Sequence, residues 1–188
     1  MTASTSLLNT PVLWINEYLR TKIPQLTTLE DVPFFPTGPS TLEALQKQFP
    51  AGGTMAVYDR MFRMRRGPFP HIKCEQVLYY FYYTASNTIE NMVQVQEAVM
   101  RLMDRGDESA QELNEWAKNN PINFNRNRPD LPPDLVSCRF YFHNFKIYQL
   151  EEARDIVDFG TARTYAGNKI IIDYDYHQTQ DIIDSINP

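Results

Sequence analysis

The sequence predicts an α+β domain, an antiparallel or mixed sheet built from two long hairpins and packed by a long helix and an N-terminal helix. Three observations carry this. Residues 76–84 form an aromatic, β-prone run with apolar character on both faces, which is the pattern of a central strand covered on both sides. Residues 87–105 instead repeat apolar side chains at helical spacing, and the strand at 169–177 alternates with a period of two. Strand and helix periods therefore share one chain of 188 residues, long enough to bury a sizeable core as a single domain spanning 1–188.

In chain order, Thr10 before Pro11 opens the first helix, on which Val12, Ile15, Leu19 and Ile23 make the apolar stripe. Pro24 is expected to close it, and 24–39 is a Pro-rich segment of irregular structure. Ser40 and Glu43 form a capping box for a short helix ended by Pro50. Residues 54–64 read as a strand joined to the aromatic strand through the Arg65 to Pro70 loop, whose glycine and two prolines require a turn. The long helix carries Met92, Val95, Val99, Leu102 and Met103 on one face and ends at Gly106. A shorter helix follows Asp107, with Ala110, Leu113 and Ala117 inward, until Pro121 stops it.

Residues 119–133 hold five Asn and four Pro, and are expected to form an extended arm whose Ile122, Phe124 and Leu131 anchor it to a neighbouring subunit. In the strand at 137–148, Phe140, Phe142, Asn144 and Lys146 alternate with Tyr141, His143, Phe145 and Ile147. Gly167-Asn168 suits a two-residue turn between strands at 156–166 and 169–177. In the last strand, Ile170, Ile172, Tyr174 and Tyr176 face the core, opposite Lys169, Ile171, Asp173 and Asp175.

Composition narrows function. A formal charge of -5 disfavours nucleic-acid binding over the whole surface, although proximity to DNA through a local patch stays open. Two cysteines, no signal segment and no long apolar stretch point to folding in a cytoplasm, with no membrane contact. No phosphate-cradling glycine loop, nucleophile elbow or dinucleotide fingerprint occurs, so no catalytic residue and no cofactor is expected, and the chain reads as a non-enzyme. Asp158-Phe159-Gly160 matches the magnesium triplet of protein kinases without the other kinase motifs, and reads as a strand entering a glycine bend.

His71 and Cys74 would point to opposite faces of a strand, and His71, His143 and His177 read as separate hydrogen-bonded side chains, with no metal site expected. Asp173 and Asp175 share a strand face without a third ligand. Arg60, Arg63, Arg65, Arg66 and Lys73 place five positive charges within 14 residues, with Phe62 and Phe69 among them. Arginine with aromatics is enriched at protein interfaces, so Arg60, Arg63, Arg65, Arg66 and Phe69, with Asp173 and Asp175 as complementary charges, are candidate contacts between subunits.

The hairpin of residues 54–84, the helix of 87–105 and the closing hairpin of 156–177 with its Asp173-Tyr174-Asp175-Tyr176 end resemble, in their order, tail-terminator and tail-completion proteins of tailed bacteriophages. The likeness covers roughly residues 10–177, apart from the Pro-rich segment and the arm. It implies a structural virion protein, a ring subunit, commonly in a homohexamer, that caps the tail tube and joins it to the head-tail connector. Partners would be copies of itself, the tube and the connector; the location would be the virion neck after synthesis in the host cytoplasm. Alternatives are a head-completion adaptor of the neck, or a pocket-bearing α+β enzyme or ligand-binding protein.

Overall fold

A computed structural model describes residues 10–30, 34–35, 56–66, 71–83, 89–126, 128–151, 157–158 and 164–179. Three helices are present among them, α1 (Pro11–Leu26), α2 (Ile89–Met103) and α3 (Asp107–Asn119). The strands are β1 (Phe34–Phe35), β2 (Ala56–Arg66), β3 (Ile72–Tyr83), β4 (Ile122–Asn123), β5 (Leu135–Val136), β6 (Phe140–Glu151), β7 (Val157–Asp158) and β8 (Thr164–Gln178). The main sheet runs β1-β2-β3-β8-β6, with β7 also on β8, while β4 and β5 form a separate pair. All pairings are antiparallel except β1 with β2, so the fold is α+β with a mixed sheet. The expected helix at 40–49 and Phe69 lie outside the described residues. No helix among the described residues is long and apolar enough to cross a membrane.

β3 stands at the centre because its residues pair on both sides, with β2 and with β8. Its core-facing side chains Cys74, Gln76 and Leu78 are buried. The side chain of Tyr80, central to the expected two-sided burial, is outside the description. From β8, Ile170, Ile172, Tyr174 and Tyr176 join the same core, as their alternation requires.

All three helices contribute to that core. α1 buries Trp14, Ile15, Tyr18, Leu19 and Ile23 to 1% exposure or less, and Trp116 of α3 packs edge-on against Trp14 and Tyr18. Asn16 of α1, itself buried, accepts a 3.0 Å hydrogen bond from the Gln76 amide of β3. That bond joins helix layer to sheet where both polar groups would otherwise be costly to bury. α2 and α3 bury the stripes their spacing predicts, and α3 lies along β6.

Four expectations are corrected. Pro24 does not close α1, which continues to Leu26. Proline there removes one backbone donor, and the buried apolar stripe ending at Ile23 outweighs that loss. Gly167-Asn168 is not a turn: β8 passes straight through it, with Gly167 opposite Phe81 and Asn168 opposite Tyr80. A turn there would leave the aromatic half of β3 without this ladder, and the unbroken pairing of β3 with β8 satisfies both strands.

The alternation of β6 breaks at Asn144, whose φ of 54° lies in the left-handed region and where the register with β8 shifts. This bulge turns Phe145 inward with Phe140 and Phe142, against the expected pattern. Lastly, the 119–133 segment is not an extended arm. It folds back as the β4–β5 lobe, with Ile122 buried in the core and Phe124 packed against it. Asn123 accepts from the backbone amides of Asn125 and Asp134, the Asn125 side chain donates to the Pro132 carbonyl, and Arg126 pairs with Glu17 of α1. Asparagines supply local backbone bonds that hold a polar, proline-rich turn in place.

The outer edge of β6 is paired between Phe142 and Ile147 by side chains and by the Gly106 backbone. Asn114 of α3 presents its amide to the Phe142 backbone, accepting from its N–H and donating to its carbonyl, both at 2.9 Å. Gly106 donates its backbone N–H to the Phe145 carbonyl at 3.0 Å, Asp107 accepts from Asn144 N–H at 3.2 Å, and Asp104 accepts from Ile147 N–H at 2.9 Å. An edge strand otherwise offers these groups to another chain.

Candidate functional site

Lys73 and Glu75 of β3, Asp173 and Asp175 of β8 and Lys146 of β6 alternate with buried residues of their strands and lie on the face away from the core. The register sets them in rungs: Arg65, Lys73, Asp175 and His143 are successive partners across β2, β3, β8 and β6, and Arg63, Glu75, Asp173 and Lys146 form the next rung. Basic and acidic residues proposed as complementary surfaces of different subunits thus belong to the same two rungs of one sheet. Arg65 and Arg66 are on β2 and not in the connecting loop, Arg66 pairs with Ile72, and Arg60 stands at a register shift between Asp59 and Met61. Asp175 accepts a 2.9 Å hydrogen bond from the Asn144 side chain, which the bulge places beside it.

At one end of this face His71, His143 and His177 come together, and these are all the histidines of the chain. The register explains how. His71 is one step beyond the Ile72–Tyr176 pair, which brings it beside His177, and His177 pairs with Tyr141, two residues from His143. Residues two apart share a strand face, so the diagonal neighbours His143 and His177 are adjacent in space. Each is half-buried, and one ring nitrogen from each lies within 4.8 Å of the other two. His143 Nε2 and His177 Nδ1 are 3.0 Å apart, within hydrogen-bond distance.

The rings stack, with centroids 4.5 Å apart for His71 and His143, 5.5 Å for His71 and His177, and 5.1 Å for His143 and His177. Tyr141 packs on the outer side, 4.9 Å from His143 and 5.4 Å from His177. Burial lowers the His143 pKa, with further lowering from His71 and His177, against an opposing pull from Asp107 and Asp175. Burial and then His71 lower that of His177. Three imidazoles in one place repel additional protons, and the neutral ring is the metal-binding form.

Separate histidines were expected, so their convergence is a departure from the sequence reading. His71 and Cys74 do fall on opposite sides, Cys74 in the core and His71 in the cluster. The available signal was the parity of the strands: Tyr141 and His143 share one face of β6, Asp173, Asp175 and His177 share one face of β8, and only the register relates the two.

Of the other expected contact residues, Ile122 and Phe124 serve their own core, whereas Leu131 is 42% exposed, as is Leu135 of β5 at 62%. Compared with known proteins, the chain matches no family model and no curated sequence.

Proposed function

We propose that this chain is a structural subunit of a phage neck or tail, a tail-terminator-like ring protein that acts through protein contacts and not through catalysis. The observation that supports it most directly is the pair of exposed leucines, Leu131 and Leu135, on the β4–β5 lobe. Apolar side chains held out on a lobe fixed by internal hydrogen bonds suit burial against a second chain. The α+β frame is compatible with the same reading, and the contacts that close such a ring are heterologous.

Light scattering on the purified chain tests it. A ring of the expected kind has a mass near a sixfold multiple of 22.0 kDa, and Leu131→Asp with Leu135→Asp lowers that mass while the far-ultraviolet spectrum stays unchanged. A monomer at every concentration, alone and with tube or connector proteins added, would refute the proposal.

A further inference from the structure

We propose that His71, His143 and His177 form a binding site for a divalent late first-row transition ion, zinc being the representative, that ties the start of β3 to β8 and β6 with one coordination position open to solvent.

The number and kind of ligands come first. Three imidazoles with an open fourth position are a recognised zinc donor set, and imidazole nitrogen selects zinc, copper and nickel over the oxygen-seeking magnesium and calcium. Spacing comes next. A tetrahedral ion with bonds of about 2.0–2.1 Å holds its nitrogens roughly 3.3 Å apart. The three nitrogens lie within 4.8 Å of one another and the closest pair is 3.0 Å apart, a spacing of the order that a shared ion requires, and the rings turn out of their stack to aim their lone pairs at it. Each histidine is carried on, or directly beside, a paired strand of the central sheet, which fixes the three Cα positions before any ion arrives.

The surroundings favour the ion over a plain aromatic stack. Asp175, beside His143 in the register, and Asp107, which approaches through the Asn144 amide, supply negative charge that stabilises a dication. Tyr141 covers one side of the rings, and the half-buried rings leave the remaining side accessible. The ion so placed clamps the β2–β3 end of the sheet to its opposite edge strand, a contact spanning β3, β8 and β6.

All three histidines of the chain are in this cluster, so every histidine signal in the untagged protein reports on this site alone. The untagged full chain is stripped with a chelator, desalted and titrated with zinc by calorimetry, and with cobalt(II) by visible absorption. The expected results are one ion per chain, the intense absorption of tetrahedral cobalt, protection of all three histidines from diethyl pyrocarbonate by zinc, and no competition from magnesium. His71→Gln, His143→Gln and His177→Gln each weaken zinc binding by at least about tenfold, the scale on which even residues behind the ligands act.

Absence of saturable zinc binding to the wild-type chain would overturn the site. So would binding that the three histidine variants retain in full, binding that magnesium displaces, or zinc that leaves the histidines open to the reagent. Because the protection measurement uses the wild-type protein, the outcome does not depend on a variant that fails to fold.

Discussion

Replacing Asn114 by alanine tests whether the closed edge of β6 contributes to stability. The side chain makes two 2.9 Å hydrogen bonds to the backbone N–H and carbonyl of Phe142, on the side of β6 where no further strand pairs among the described residues. A hydrogen bond contributes a net of about 1 kcal/mol, so losing two costs about 2 kcal/mol. Asn114 is only half-buried, and water recovers part of that cost; alanine also gains roughly 0.5 kcal/mol over asparagine in the middle of a helix. The net expected loss is about 0.5–1.5 kcal/mol. Urea denaturation followed by far-ultraviolet circular dichroism measures it, with Gln111→Ala as reference because Gln111 is exposed on the same helix and takes a smaller propensity gain. Asn114→Asp should cost at least as much as Asn114→Ala, since a carboxylate keeps the acceptor for Phe142 N–H but repels its carbonyl. If Asn114→Ala is as stable as Gln111→Ala, with an unchanged denaturant slope, the two bonds contribute nothing and the reasoning fails.

Two further outcomes concern buried titrating groups. Burial, and then the Glu112 carboxylate that accepts from its hydroxyl at 3.5 Å, push the Tyr18 pKa up to about 12, so the folded state favours the protonated phenol. The associated stability is complete below the unfolded value near 10 and is lost as pH rises toward 12. The melting temperature should therefore fall over that interval, and less steeply in Tyr18→Phe; equal slopes would refute the assignment. Burial likewise raises Cys74 to about 12 and Cys138 to about 11. With so little thiolate near pH 8, native protein should react far more slowly with iodoacetamide than unfolded protein, and half-buried Cys138 before Cys74. Peptide mapping that finds Cys74 modified first would contradict the burial.

Local periodicity by itself determined much of this protein: the apolar stripes of α1, α2 and α3, and the inward Ile170, Ile172, Tyr174 and Tyr176 of β8. Each depends only on residues a few positions apart, and a helix or strand period repeats within that range. What tertiary structure decided is which strands lie together and in what register. Gly167-Asn168 has the chemistry of a turn, yet the long partner offered by β3 keeps it extended. Asn144 looks like one more alternating residue until the paired edge and the side chains of α3 draw it into a bulge that turns Phe145 inward. The asparagines and prolines of 119–133 suggest an arm only while the hydrogen bonds that fold the segment on itself, and the Arg126–Glu17 pair that ties it to α1, are out of view. His71, His143 and His177 show the same limit most sharply. No local pattern relates three strands distant in sequence, and only the pairing of β3 with β8 and of β8 with β6 brings their rings to one place.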